Sequence, residues 1–117
     1  MKDKELYSGF IRLHILHHAC EEAIYGVGII RELGRHGYTL SPGTLYPILH
    51  AMEKKGYLKS YEAREGKEAR RFYRATSKGQ KVIKTAKIKV KELFGELFET
   101  DSPTTARNKK TRKGVTK

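Results

Sequence analysis

Three histidines and the chain's single cysteine lie close together in the stretch "HILHHAC", residues 14–20. His14 and His18 are one helical turn apart, so a helix would bring both imidazoles to one face, where they could bind a metal ion. Cys20 falls on a different face from His14, and a zinc or copper sensor site needs three or four convergent ligands, which a dimer could supply. Histidines on a packed helix are the favoured interpretation, and no metal or other cofactor is predicted. A metal- or redox-sensing site made of His14, His17, His18 and Cys20 is the alternative.

A second stretch, "LSPGTLYPILHAMEKKG" (40–56), combines an apolar helical pattern with helix-breaking residues at its front. Apolar residues at spacings of three and four predict one buried helix face, made of Leu45, Ile48, Leu49 and Met52. Ser41 suits the N-cap, and Pro42 suits the first helical position, where its missing donor costs nothing. Pro47 has two interpretations. It costs a backbone hydrogen bond if Ser41 is the cap, and it lies in the harmless first turn if Thr44 is the cap.

The front of this helix carries groups that suit DNA. A helix N-terminus offers free N–H groups and the positive end of the helix dipole to phosphate, and a recognition helix enters the major groove by this end. Gly43 permits close approach of the backbone, while Thr44 and Tyr46 offer hydroxyls to phosphates or base edges. An ordinary buried helix with a proline-marked start is the competing interpretation.

After Gly56 the period of the pattern changes, and "YLKSYEAR" and "ARRFYRAT", separated by "EGKE", predict a two-stranded hairpin. Basic side chains cluster at its tip and on its second strand: Arg64, Lys67, Arg70, Arg71 and Arg74. Phosphate contacts from this cluster would add affinity and salt dependence rather than sequence choice. A solvated, charged hairpin is the alternative, because three glutamates lie on the same hairpin.

The remaining elements are helices that must position these two stretches. One is predicted over residues 4–20 and another over about 26–36, the latter with Val27, Ile30 and Leu33 facing inward. Ser77 is the predicted N-cap of a long last helix, 78–99. This helix carries an a/d seam about two heptads long, which predicts a dimerisation surface: Ile83, Ala86, Val90, Leu93 and Leu97.

Length, net charge and cysteine content indicate the general class of protein. A length of 117 residues suits a single small domain, and a formal net charge of +12 favours an anionic partner such as nucleic acid. One cysteine excludes an internal disulfide, and neither a signal peptide nor an apolar run of about 20 residues is present, so a cytoplasmic protein without a membrane span is expected. No P-loop, GxSxG or HExxH motif occurs, so no enzyme is predicted. The basic, almost apolar-free tail, 101–117, is predicted to be disordered.

The order helix, helix, helix, hairpin, long helix is the plan of a winged helix-turn-helix, a mainly α fold with a small β-hairpin. Three stretches, "YGVGIIREL", "LSPGTLYPILHAMEKKGYL" and "RRFYRATSKGQ", resemble the PadR family of bacterial winged-helix repressors, and the resemblance covers residues 6–98. It implies a DNA-binding domain over 1–76 and a C-terminal dimerisation helix over 77–99, and composition predicts a disordered basic tail over 100–117. It also implies a homodimer on a palindromic operator, released in many members by a small, often aromatic, ligand.

By this resemblance, the DNA-facing start of the recognition helix holds Ser41, Gly43, Thr44, Tyr46 and Pro47, and the wing strand holds Arg71 and Tyr73. Lys67 and Arg70 join them from the basic cluster of the hairpin.

The chain departs from the family at two points: Ala75 stands where members often carry leucine, and no tryptophan is present. A ligand pocket at the dimer centre would have to use Phe10, Phe94 and Phe98, or Tyr7. The prediction is thus a sequence-specific, ligand-responsive repressor. A nonspecific nucleic-acid-coating protein and a coiled-coil interaction module remain the alternatives.

Overall fold

The computed structural model describes residues 3–99, so the predicted tail over 100–117 lies outside the described residues. Four helices and one hairpin follow each other along the chain: α1 (Lys4–Glu21), α2 (Gly26–Arg35), α3 (Pro42–Lys54), β1 (Leu58–Glu65), β2 (Glu68–Ala75) and α4 (Ser77–Glu99). This order confirms the predicted mainly α fold with a small β-hairpin and a long last helix.

The chain divides into two compact units after Ile83, later than the predicted boundary at residue 76. The reason lies in the first turns of α4, where Gly79 is buried and Val82 and Ile83 pack against the core of the first unit. These turns therefore belong to the first unit in packing terms, although they are continuous with the long helix.

The core of the first unit lies between α1, α2, α3 and the base of the hairpin. Its largest fully buried side chains are Ile15, Leu33, Leu45, Leu49, Leu58 and Tyr73. In α2 the inward face is Gly26, Ile29 and Leu33, at positions i, i+3 and i+7. The predicted inward position of Val27 is wrong, because this face leaves its side chain 55% exposed.

The start of α3 resolves the question raised by its two prolines. The Ser41 hydroxyl accepts a hydrogen bond from the Thr44 N–H at 3.3 Å, so Ser41 is the N-cap and Pro42 occupies the first turn. Pro47 therefore lies inside the helix and has no N–H for the Gly43 carbonyl. Both Gly43 and Pro47 are exposed, so this irregular backbone faces away from the core.

The hairpin pairs antiparallel, from Leu58 opposite Ala75 to Glu65 opposite Glu68. Gly66 has a φ of +68° at the tip, where favoured two-residue turns need a positive φ. Ile24, in the connection between α1 and α2, exchanges two backbone hydrogen bonds with Tyr73, of 2.8 and 2.9 Å. The base of the wing is thus attached to the helical part by backbone as well as by side chains.

The last helix begins one residue earlier than predicted. The Thr76 hydroxyl accepts a hydrogen bond from the Gly79 N–H at 3.0 Å, so Thr76 caps α4 and the prediction of Ser77 as the cap is wrong. Among residues 3–99, no helix is long and apolar enough to cross a membrane.

Candidate nucleic-acid interface

The structure brings the predicted helix residues together on the first turns of α3. Ser41, Gly43 and Pro47 are exposed, whereas Thr44 and Tyr46 are half-buried. The Ser41 hydroxyl also lies 3.4 Å from the Thr44 hydroxyl, so the cap and its neighbour form one local polar group at the helix start. This end of α3 thus presents a glycine backbone, two hydroxyls and a helix N-terminus to the same surface.

Tyr46 has a second contact that the sequence analysis did not predict. A Cβ atom on Gly26 would lie 1.9 Å from the Tyr46 hydroxyl oxygen and 2.5 Å from its Cζ, so the ring fits against α2 only because residue 26 is glycine. The ring of Tyr46 therefore helps to set the packing of α2 on α3. The two residues are far apart in sequence, and nothing in the local pattern around Gly26 indicates the contact.

Arg71, on the second strand of the wing, is held by a chain of polar contacts. Its Nη1 donates to the Ser60 hydroxyl at 2.9 Å, and Ser60 in turn donates to a carboxylate oxygen of Glu53 at 2.7 Å. A second guanidinium nitrogen lies 3.6 Å from Glu62. Because Glu53 belongs to α3, these contacts fix an exposed guanidinium of the wing relative to the recognition helix.

Arg70 and Lys67 differ in their exposure and in the contacts that their side chains make with the rest of the fold. The Arg70 guanidinium lies over the Tyr25 ring, 4.5 Å from its centroid, and pairs with Glu65 at 3.2 Å, so this half-buried side chain packs the wing against the start of α2. Lys67 is exposed at the hairpin tip, where its carbonyl accepts a hydrogen bond from Arg64 at 2.8 Å. Lys67 is thus an accessible cation, and Arg70 has a packing role that the sequence did not indicate.

Tyr73 requires a correction. Its side chain is 0% exposed, and its hydroxyl has no hydrogen-bond partner within the part of the chain that the structure describes. Burial raises the pKa of this hydroxyl above its ordinary value of 10.0, with a smaller contribution from Glu53. Tyr73 and Ala75 alternate along β2 on its core side, so Tyr73 is a core residue and its prediction as a DNA contact is wrong.

The seam predicted on α4 is exposed over its C-terminal part. Val90, Leu93 and Leu97 all reach solvent, with Leu97 57% exposed. Ile83 instead packs against the core of its own chain, and Ala86 is half-buried. This difference follows from the packing of the first turns of α4 in the first unit.

The aromatic residues predicted for ligand binding fall in both units. In the second unit, the rings of Phe94 and Phe98 contact each other with centroids 4.5 Å apart, and Phe94 is 61% exposed. In the first unit, Phe10 lies on α1 with its ring 6.2 Å from that of Tyr7. Phe10 is 42% exposed, whereas Tyr7 is half-buried.

The histidines of α1 meet partners that the sequence analysis did not include. His14 and His18 lie beside His36, which follows the last residue of α2, and His18 also lies 3.7 Å from Glu32 of α2. His17 instead pairs with Glu21 at 3.5 Å on the exposed side of α1. Glu32 and His36 are also four residues apart, and this spacing was the signal that could have joined them to the cluster. Burial, and then the neighbouring His36, lower the pKa of His14 below its ordinary value of 6.5.

The fold is that of the winged-helix class of DNA-binding proteins. Three helices precede a two-stranded wing, and the third of them, α3, is attached to that wing. The model of the transcriptional regulator PadR-like family matches residues 15–85, and the chain belongs to this family. Regulators of this family bind DNA and are not enzymes, in agreement with the sequence-based prediction.

Relatives of known sequence and structure agree with this assignment. The transcriptional regulator Rv3488 of Mycobacterium tuberculosis is 42% identical over 101 residues, which cover 86% of this chain and 94% of that protein. The crystal structure of a PadR family regulator from Eggerthella lenta is 26% identical with a TM-score of 0.71, over 85% of this chain and 88% of that one. A transcriptional regulator from Clostridium thermocellum is 30% identical with a TM-score of 0.66, over 86% and 97% of the two chains.

Proposed function

We propose that this transcriptional regulator is a homodimeric repressor that binds a palindromic operator, with the start of α3 reading base edges and the wing contacting the phosphate backbone. The observation that carries the proposal is the link between the two parts: Arg71 is positioned from α3 through Ser60 and Glu53. A wing held in this way can contact the backbone while α3 occupies the major groove.

The start of α3 supplies the specificity. Thr44 presents a hydroxyl beside the exposed backbone of Gly43, at a helix N-terminus that attracts phosphate. Ser41, Tyr46 and Pro47 complete the same surface. Lys67 and Arg71 are exposed cations of the wing and supply affinity that depends on salt.

Dimerisation is proposed through a second copy of α4. Exposed apolar residues recur along the helix in the second unit, and the largest are Ile88, Val90, Leu93, Phe94, Leu97 and Phe98. Leu93 and Leu97 lie one helical turn apart, as the residues of a helix–helix seam do. A self-complementary seam also fits a palindromic operator, because a two-fold dimer presents one α3 to each half-site.

The dimer is tested by a double variant that places charges on the seam, Leu93→Asp with Leu97→Asp. The control is a second double variant that changes charges on the same helix, Lys89→Asp with Glu92→Lys. Sedimentation at micromolar concentration should give a dimer for the wild type and the control, and a monomer or an unfolded chain for the apolar-to-Asp variant. A wild-type chain that sediments as a monomer contradicts the proposal.

An effector site is proposed at the dimer centre, where the exposed pair Phe94 and Phe98 of the second unit offers flat apolar surface to a planar ligand. Such a ligand can change DNA affinity only by binding one dimer arrangement better than another. Phe94→Ala and Phe98→Ala should abolish a ligand response of the wild type, and a full response in both variants would place the ligand elsewhere.

The division of labour between helix and wing is tested by titration of two duplexes, one enriched by selection from random DNA and one scrambled. Thr44→Ala should cost about 1–3 kcal/mol on the enriched duplex and little on the scrambled one. Arg71→Ala should weaken binding to both and reduce the salt slope by about 0.9 for one lost phosphate contact. Arg35→Ala is the control, since this exposed arginine lies at the C-terminal end of α2.

If the Arg71 variant changes base preference and the Thr44 variant does not, the two roles are reversed. Equal affinity of the wild type for both duplexes favours a nonspecific nucleic-acid-binding protein.

A further inference from the structure

Two pairs of metal-ligating side chains face each other across α1 and α2. His14 and His18 are four residues apart on α1, and Glu32 and His36 are four residues apart at the end of α2. One ligand nitrogen from each of the three histidines lies within 4.8 Å of the others. A carboxylate oxygen of Glu32 lies 3.7 Å from Nε2 of His18 and 3.4 Å from Nε2 of His36.

These separations can be compared with those around a metal ion. A tetrahedral zinc ion with bonds of about 2.1 Å holds its ligand atoms about 3.4 Å apart. The distances from Glu32 to His18 and His36 are already close to this value, and the three histidine nitrogens lie within 4.8 Å of one another. We propose a binding site for a divalent transition-metal ion of the zinc class, formed by His14, His18, Glu32 and His36.

The chemistry of the donors selects the class of metal. Three imidazoles and one carboxylate suit zinc and its neighbours among the transition metals, whereas calcium and magnesium prefer oxygen ligands. Burial lowers the pKa of His14, which favours the neutral imidazole that binds a metal. The second carboxylate oxygen of Glu32 pairs with Arg35 at 3.3 Å, a contact that orients the ligand.

The location of the cluster also suits an ion that enters from solvent. His14, His18 and Glu32 are half-buried and His36 is exposed, so the site has a partly enclosed floor and an open side. The Tyr38 ring stands edge-on to His14, with centroids 5.5 Å apart, and forms part of the wall. A bound ion would join α1 to the end of α2 and would stabilise the folded chain by mass action.

A neighbouring group competes for the same histidine. His17, His18 and Glu21 also bring three ligand atoms together, all on α1. The side chains of His17 and Glu21 are 47% and 61% exposed, so this group lies more in solvent than the site between the two helices. We therefore favour the four-residue site between the two helices.

Calorimetric titration of Zn²⁺ into the full-length chain, without a histidine tag and after treatment with a chelator, tests the proposal. The wild type should bind one Zn²⁺ per chain and unfold at a higher temperature when loaded. His36→Ala and Glu32→Gln should weaken binding by at least about 10–100-fold, the loss expected even for an outer-shell partner. His36 is exposed and Gln has the shape of Glu, so both variants should fold, which circular dichroism without metal will verify.

His17→Ala and His50→Ala are matched controls, since the first removes the competing group and the second removes a histidine on α3. Both should bind Zn²⁺ as the wild type does. Absence of stoichiometric binding by the wild type overturns the proposal, as does unchanged binding in both His36→Ala and Glu32→Gln. Loss of binding in His17→Ala with retention in His36→Ala would move the site to the competing group. None of these outcomes depends on the proposed DNA function.

Discussion

Gly79 lies where the first turn of α4 meets the start of the wing, and replacing it by alanine should destabilise the protein. A Cβ atom at this position would lie 2.3 Å from the backbone carbonyl oxygen of Tyr57 and 3.2 Å from a methyl group of Leu16. The first distance is more than 1 Å below ordinary van der Waals contact. Because the Tyr57 oxygen is a backbone atom, it cannot move aside as a flexible side chain can.

The expected magnitude follows from two opposing effects. Glycine to alanine within a helix usually stabilises by about 1 kcal/mol, whereas forcing an extra carbon into a packed site costs about 1–3 kcal/mol. The carbonyl of Tyr57 also accepts hydrogen bonds from the N–H and the hydroxyl of Thr76, so moving it disturbs the cap of α4 as well. We expect a net loss of about 1–2 kcal/mol in the free energy of unfolding.

Gly34→Ala is the matched control, because nothing lies within 4 Å of a Cβ atom at this helical position. This variant should be more stable than the wild type by about 0.5–1 kcal/mol. Urea unfolding followed by circular dichroism, at one protein concentration, measures both changes. A Gly79→Ala variant that gains as much stability as Gly34→Ala would refute the close approach of α4 to β1.

Two further predictions concern buried and titrating groups. Tyr73→Phe removes a hydroxyl that is buried without a partner among the described residues, so it should leave stability unchanged or raise it by about 1 kcal/mol, and a loss of more than that in urea unfolding would reveal a missing hydrogen bond. Because the pKa of His14 is lower in the folded chain than the ordinary 6.5, the unfolded chain binds more protons just below that pH, and stability should fall as the pH drops below about 6.5. His14→Gln should flatten this pH dependence of stability in chelator-treated protein at the same concentration. The other titratable groups near His14, namely His17, His18, Glu32 and His36, are unchanged in this variant. An unchanged dependence of stability on pH would contradict His14 as its cause.

Much of the fold follows from local patterns in the sequence. The apolar spacing in α3 and the pairing of the hairpin depend on residues that are neighbours along the chain, and the structure confirms them. The sequence leaves two caps open for α3, Ser41 and Thr44, and the structure shows Ser41. The prediction that Val27 faces inward is wrong because the sequence of α2 fits two inward faces, one that begins at Gly26 and one that begins at Val27. The structure buries the face that begins at Gly26.

The candidate site was less predictable, because its side chains are defined by contacts between distant elements. Gly26 and Tyr46 meet only when α2 packs on α3. His36 reaches His14, and Glu32 reaches His18, only when α2 packs on α1. The family resemblance predicts Tyr73 as a DNA contact, but alternation along β2 places it on the core side. Tertiary packing, rather than composition, decides each of these positions.

Selection of binding sites from random duplex DNA tests the central claim most directly. A homodimer that presents one α3 to each half-site should enrich an inverted repeat, with half-site centres about 10–10.5 base pairs apart or a multiple of that spacing. The same selection with Thr44→Ala should lose base preference within the half-sites while it keeps their spacing. A library without an enriched sequence, or an enriched site without two-fold symmetry, would contradict a sequence-specific dimeric regulator.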